Sequence, residues 1–274
     1  MEMQRRSLKC DEELAQRFEK KADTLKQLVE EKLWNPKDQF FETFTENDTC
    51  ANVREAIGFI PWYFNLPDEN AKYNEAWKQV KNEEGFLAPF GLTTAERRSP
   101  RFRTHGTGTC EWDGAVWPFA TSQTMTALAN FINNYEQDIV AKEDYYQLMD
   151  LYVESQYYRG RPYIGEYLDE STGYWLMGDR ERSRYYNHST FNDLVITGLV
   201  GLRPRADEKI EVNPLIPEDQ WDYFCLDNVL YHGDILTIIW DKTGEKYNRG
   251  KGFRIFRNGE EIASSENLEH IISS

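Results

Sequence analysis

Cysteine that could pair is the first thing this sequence is short of. Its 274 residues hold four cysteines, Cys10, Cys50, Cys110 and Cys225, far apart and with no CxxC spacing. That argues against a zinc site and against a disulfide scaffold, and free buried thiols are the expectation. Histidine is as sparse. His105, His188, His232 and His270 form neither an HxH nor an HExxH pair, so a metal-centred mechanism has no support and no cofactor is expected. No uninterrupted apolar run approaches the roughly 20 residues that cross a bilayer. The opening MEMQRRSLKCDEEL lacks the apolar centre of a signal peptide. Positive charge is in deficit: 47 acidic residues face 32 Lys and Arg, a net charge of −15. Such a surface repels phosphate, so neither nucleic acid nor a membrane is expected as a partner.

What is plentiful is aromatic surface. Aromatic side chains make up 14% of the chain, with 8 Trp and 16 Tyr, inside a hydrophobic fraction of 40% that suffices for a core. Such rings either fill a core or pack on the C–H faces of sugars, and composition leaves both open. Three- and four-residue spacing of Leu14, Phe18, Ala22, Leu25, Val29 and Leu33 predicts a helix over 11–33, stopped by Asn35-Pro36. Further helices are expected over 53–64, 69–83, 118–135, 143–157 and 189–201. After Leu202 the pattern changes. Residues 234–241 and 253–257 read as strands, and Asn258-Gly259 as a hairpin turn. Helices first and strands after predict an α domain with an appended β domain rather than a βαβ sheet.

Two long loops, 84–116 and 159–187, are where chemistry is expected, since loops of this length in a folded chain tend to carry function. The first ends in Cys110-Glu-Trp-Asp-Gly-Ala-Val-Trp-Pro-Phe119. The second holds Gly165-Glu-Tyr-Leu-Asp-Glu-Ser-Thr-Gly-Tyr-Trp175. Glycosidic cleavage uses two carboxyls, one to protonate the leaving oxygen and one on the other face of the sugar. Carboxyls beside aromatic rings suit either role, because partial desolvation tunes their proton affinity. Glu166 beside Tyr167 is the candidate, and the first loop packs two Trp and two acids within seven residues. With this many acids some fall beside rings by chance, so a structural role stays open. Asp169 and Glu170, ahead of the Thr172-Gly173 turn, are expected to be turn or surface groups.

The stretch Gly165–Gly173, followed by Tyr186-Asn-His-Ser-Thr-Phe-Asn192, resembles the catalytic-base segment of the six-hairpin glycosidases, and within them glycoside hydrolase family 63 and the mannosylglycerate-hydrolase-like group. Trp112-Asp-Gly-Ala-Val-Trp-Pro118 is similar to that group's Trp-x-Gly-Pro-Val-Trp-Pro loop, with Ala115 in place of Pro. Leu33-Trp-Asn-Pro-Lys-Asp-Gln-Phe-Phe41 and Gly85-Phe-Leu-Ala-Pro-Phe-Gly-Leu92 are similar to two further segments, in the same order along the chain.

The resemblance implies a mainly α fold: the C-terminal half of an (α/α)6 toroid over residues 1–204, then a small antiparallel, β-sandwich-like module over 205–274. It implies inversion at an α-glycosidic bond of glucosides, mannosides or related oligosaccharides, with Glu166 as general base. The group's acid, an Asp in an earlier loop, has no counterpart here. It is expected in an N-terminal half outside this chain, with Asp113 as the alternative within it. Trp112, Trp117, Tyr167 and Trp175 would shape the sugar subsite, and His105, Asn187 and His188 would make polar contacts. A half-toroid leaves apolar helix faces uncovered, so the expected partners besides the sugar are an N-terminal half-barrel or a second copy of the chain. A non-catalytic carbohydrate-binding or structural fragment is the rival reading.

Overall fold

The computed structural model describes residues 11–106, 110–186 and 190–273. The chain divides into two compact units, Met1–Thr190 and Phe191–Ser274.

The first unit begins with helix α1 (Glu12–Leu28). The Asp11 carboxylate caps it by accepting the Leu14 N–H at 3.0 Å, and Glu12 and Glu13 in the first turn suit the helix dipole. A π-helical turn, Val29–Leu33, continues it to Trp34, which pairs with Phe41 in a two-residue ladder. The apolar spacing of this helix does not serve a core. Leu14, Leu25 and Leu28 are exposed, and Ala15 is its buried residue.

The core lies further along. Phe40, Phe41, Phe59, Trp62, Trp77, Phe86 and Phe131 are fully or almost fully buried. Their rings meet edge-on or stacked, as between Trp77 and Phe131 at 5.1 Å. Phe131 comes from α2 (Pro118–Asn134), which opens on a proline, where the missing N–H costs nothing. Asn130 of α2 bonds the carbonyls of Trp62 and Tyr63, so a buried amide satisfies the end of the short helix Ile60–Tyr63. Helix α3 (Lys142–Ser155) packs beside α2 and buries Tyr145, Leu148, Met149 and Tyr152.

The expected mainly α half-toroid is not what forms. The chain is 33% helix and 22% strand, with six helices and five sheets among the described residues. Of those helices only α1, α2 and α3 exceed four residues. The segment expected as a helix over 53–64 is a 3-10 turn, Ala56–Phe59, and one helical turn. The one expected over 69–83 is a helical turn, Ala71–Asn74, followed by a 3-10 stretch, Glu75–Lys81. The physical reason is in the residues. Bulky aromatic and β-branched side chains such as Phe59, Ile60, Trp62 and Tyr63 lose rotamer freedom in an α-helix. Here their placement in the ring core decides the local winding.

The second unit opens with Phe191–Asp193 and a π-helical turn, Leu194–Leu199. Strands β1 (Leu202–Arg203), β2 (Ile210–Val212) and β7 (Ile271–Ser273) form an antiparallel sheet in the order β7-β2-β1. Strands β3 (Tyr223–Tyr231), β4 (Asp234–Asp241), β5 (Gly252–Arg257) and β6 (Glu260–Ser265) form a four-stranded meander. The β5–β6 turn is Asn258-Gly259, both with positive φ, 52° and 86°. That is the type I′ requirement such a two-residue hairpin meets with Asn-Gly. Leu236, Ile238, Phe253 and Ile255 bury completely on the meander.

Candidate functional site

Residues far apart in sequence meet in the first unit through single-residue antiparallel bridges. Thr93 pairs with Val116, Val116 with Leu168, and Leu168 with Trp175. Val116 and Leu168 exchange both backbone hydrogen bonds at 3.0 Å. This register sets Trp117 opposite Tyr167, and their rings stack at 4.7 Å and 10° as cross-strand neighbours do. Trp112 lies on the far face of Trp117 at 4.1 Å and 18°. Three rings therefore form one pile, with Trp117 and Tyr167 buried and Trp112 45% exposed. The Trp117 indole N–H donates to the Cys110 carbonyl at 2.9 Å, which fixes the middle ring. Among the described residues, the Tyr167 hydroxyl is buried with no hydrogen-bond partner. Its phenol is pushed upward, first by burial and then by Cys110, Glu111 and Glu166 nearby.

Glu166 adjoins this pile and is 7% exposed. Its Oε2 accepts the Ser183 hydroxyl at 2.7 Å. The Arg182 guanidinium stands 3.9 Å from the same oxygen, on a largely exposed side chain. Gly165 is needed beside it for space: a Cβ there would fall 2.3 Å from the Trp175 ring. Trp175 itself is 1% exposed and its indole N–H donates to the Tyr157 carbonyl at 2.9 Å. It packs with Tyr163, Val116 and Leu168 as a wall behind the loop.

Asp113 faces a different neighbourhood. Its Oδ2 accepts the His105 backbone N–H at 3.0 Å and stands 3.2 Å from the His105 ring, which is mostly exposed. Asp113 lines a polar cleft of about 340 Å³ with Phe102, Arg103, Gly106, Glu111, Asp169 and Glu170. Arg103 is the hub there. It reaches Glu111 at 2.6 Å, Glu170 at 2.6 Å and Asp169 at 3.5 Å. Glu170, expected at a turn or surface, is instead buried by this pairing. Asp169 does serve the turn. Its Oδ1 accepts from Ser171, from the Thr172 N–H and from the Thr172 hydroxyl. Burial alone would raise the Asp169 carboxyl, but these bonds and Arg103 bring it below the ordinary value.

The fold thus stacks Trp112, Trp117 and Tyr167, with Glu166 the residue before Tyr167 in the chain, and groups Asp113 with His105. Trp175 is placed in packing, while Asn187 and His188 lie outside the described residues. Ser183 and Arg103 carry the local geometry, and neither was singled out from the sequence. A lone Ser within a run of arginines gives no periodic signal. Arg103 is legible only once the 66-residue separation from Asp169 is closed. Among the described residues no group of three His, Cys, Asp or Glu side chains could hold a metal ion.

Comparison with known proteins bears on this geometry. The sequence profile of the mannosylglycerate hydrolase MGH1-like glycoside hydrolase domain matches residues 7–189, and that of the glycosyl hydrolase family 65 C-terminal domain matches 202–263. A solved structure described as "Sialidase" is 65% identical over 97% of this chain, with a TM-score of 0.95. This chain spans 25% of that structure's length. A mannosylglycerate hydrolase of glycoside hydrolase family 63 from Thermus thermophilus, solved with Tris, is 17% identical over 58% of this chain and 33% of its own, with a TM-score of 0.42. The same enzyme solved with glucose matches at 17% identity over 60% of this chain and 36% of its own, TM-score 0.42. With two thirds of its length under one profile, the chain belongs to the MGH1-like glycoside hydrolase domain family.

Proposed function

We propose that this chain is the base-bearing part of an inverting glycoside hydrolase acting on α-linked glucosides, mannosides or related oligosaccharides. The observation that carries the reading is Glu166: a buried carboxylate with one oxygen held by Ser183, one residue from the Trp112–Trp117–Tyr167 pile. The exposed face of Trp112 suits the C–H face of a sugar ring, and Trp117 and Tyr167 hold it in place. Glu166 acts as general base on a water, at a separation from the acid of about 6.5–9.5 Å as inversion requires. The acid is an Asp on another part of the polypeptide. Asp113 is the alternative, held as it is against His105 in the polar cleft. Family membership, and the 65% identity to a structure four times as long, support this placement within a larger enzyme.

The test is an assay on a panel of α-glucosides, α-mannosides and mannosylglycerate. The chain is assayed alone and with the remainder of the polypeptide, and product anomers are read by proton NMR. Turnover with inverted configuration, lost in Glu166→Gln by at least about 10²-fold, is expected. Retained configuration would overturn inversion, and an active Glu166→Gln would overturn the base assignment. Turnover by the chain alone that Asp113→Asn abolishes would place the acid in Asp113. Sugar binding that depends on Trp112 with no turnover in any combination would favour a binding module.

A further inference from the structure

Glu166 is not held by its own loop. The side chain that fixes it comes from the 3-10 turn Glu181–Ser183, 17 residues on. Ser183 is 1% exposed and its hydroxyl lies 2.7 Å from Oε2, a short bond of the charge-assisted kind. The serine is itself pinned. Its N–H donates to the Arg180 carbonyl at 3.0 Å. Its carbonyl and that of Gly178 share the Tyr163 hydroxyl, at 3.3 and 3.2 Å. The Tyr163 ring packs edge-on against Trp175, the wall residue behind Gly165. A closed frame therefore runs from the chain before Glu166, through Tyr163 and Ser183, and back onto the carboxylate.

The two oxygens of Glu166 are left unequal. Oε2 carries the Ser183 bond and faces Arg182, whereas among the described residues no hydrogen bond engages Oε1. We infer that Ser183 is a positioning residue for the base: by fixing Oε2 it turns Oε1 toward the attacking water. This rests on the reading of Glu166 as general base. In the step that follows, a water O–H bond breaks and its proton passes to Oε1. The water oxygen bonds the anomeric carbon, and the glycosidic C–O electrons leave with the departing oxygen, which the carboxylic acid partner protonates. Ser183 exchanges no proton. It keeps the carboxylate aimed, through a hydrogen bond donated to Oε2.

The experiment compares Ser183→Ala and Ser183→Thr with the parent, in whichever form of the polypeptide turns over substrate. Ser183→Ala should lower kcat about 10- to 100-fold, the worth of one charge-assisted hydrogen bond, with KM changed less than about 3-fold. The acid limb of its pH–rate profile should move to higher pH. Ser183→Thr, which keeps the hydroxyl, should recover most of the loss. If Ser183→Ala falls only in step with its melting temperature and keeps the parent pH profile, the serine is structural and the inference fails. Glu166→Gln separates the two readings: if it stays active the base assignment is wrong, and if it is dead while Ser183→Ala is not, only the role of Ser183 is wrong. Should no form turn over, carbon-13 NMR of labelled glutamate in the chain decides. The Glu166 carboxyl signal should move in Ser183→Ala and stay near the parent position in Ser183→Thr, and an unchanged position in Ser183→Ala would sink the proposal.

Discussion

Arg103→Met should be the most damaging single change within the polar cleft. Arg103 forms ion pairs with Glu111 and Glu170 at 2.6 Å each, and their side chains are 2% and 11% exposed. Methionine keeps the apolar stem and the same left-handed backbone, φ 55°, so what is lost is the guanidinium alone. Removing one partner of a buried ion pair strands the other charge, at a cost of about 3–5 kcal/mol. Glu111 is the more deeply buried of the two carboxylates. Because the arginine also ties the loop around residue 103 to Asp169 and Glu170, the cost falls on the joint between the two site loops. For a unit of this size, 3–5 kcal/mol corresponds to a melting temperature lower by about 6–20 °C. Scanning calorimetry of parent and variant reads it. The paired variant Arg103→Met/Glu111→Gln should recover at least about 1 kcal/mol, since the buried charge that faced Arg103 is gone. A drop under about 2 °C, or no coupling between the two sites, would show that the cluster is solvated and that its geometry contributes nothing.

Three further outcomes follow from the same structure. Burial pushes the Glu42 carboxyl up to about 7, with Asp38 adding to the rise and bonds from Asn35 and Asn52 opposing it. The folded chain then holds a proton that the unfolded chain releases, so stability should fall between about pH 5 and 7, by up to about 3 kcal/mol. Urea midpoints of Glu42→Gln should lack that fall, and an unchanged slope would clear Glu42 of it. Gly259→Val, at φ 86° in the β5–β6 turn, should cost about 1–3 kcal/mol in the second unit, read by urea unfolding followed through Trp240 and Trp221. Trp112→Ala should weaken oligosaccharide binding about 10-fold with little change in melting temperature, whereas Trp117→Ala should lose about 3–5 kcal/mol of stability as well. Equal thermal losses would mean that Trp112 is a packing residue and not a platform.

Much of this was written in local sequence. The α2 and α3 helices follow from sustained apolar periodicity, and the β5–β6 hairpin from Asn258-Gly259 between alternating residues. The four segments shared with the six-hairpin glycosidases carry enough specific residues, Glu166 and Trp112 to Trp117 among them, to announce the family. Local sequence misjudged the winding of 53–64 and 69–83, because there the fit of Phe59, Trp62 and Trp77 into one ring core outweighs spacing. It also read α1 as an ordinary amphipathic helix, while its leucines stay exposed.

The site divides the same way. Residue types and motif by themselves single out Glu166, Trp112 and Trp117 as candidates, since glycosidic chemistry uses a carboxylate and sugars pack on rings. Only the tertiary structure decided how they are held. The Val116–Leu168 bridge, 52 residues across, turns two separate motifs into one ring pile, and a serine 17 residues downstream grips the carboxylate. Such contacts leave no periodic trace in the chain, because they depend on a register between distant strands that exists only once the core has closed.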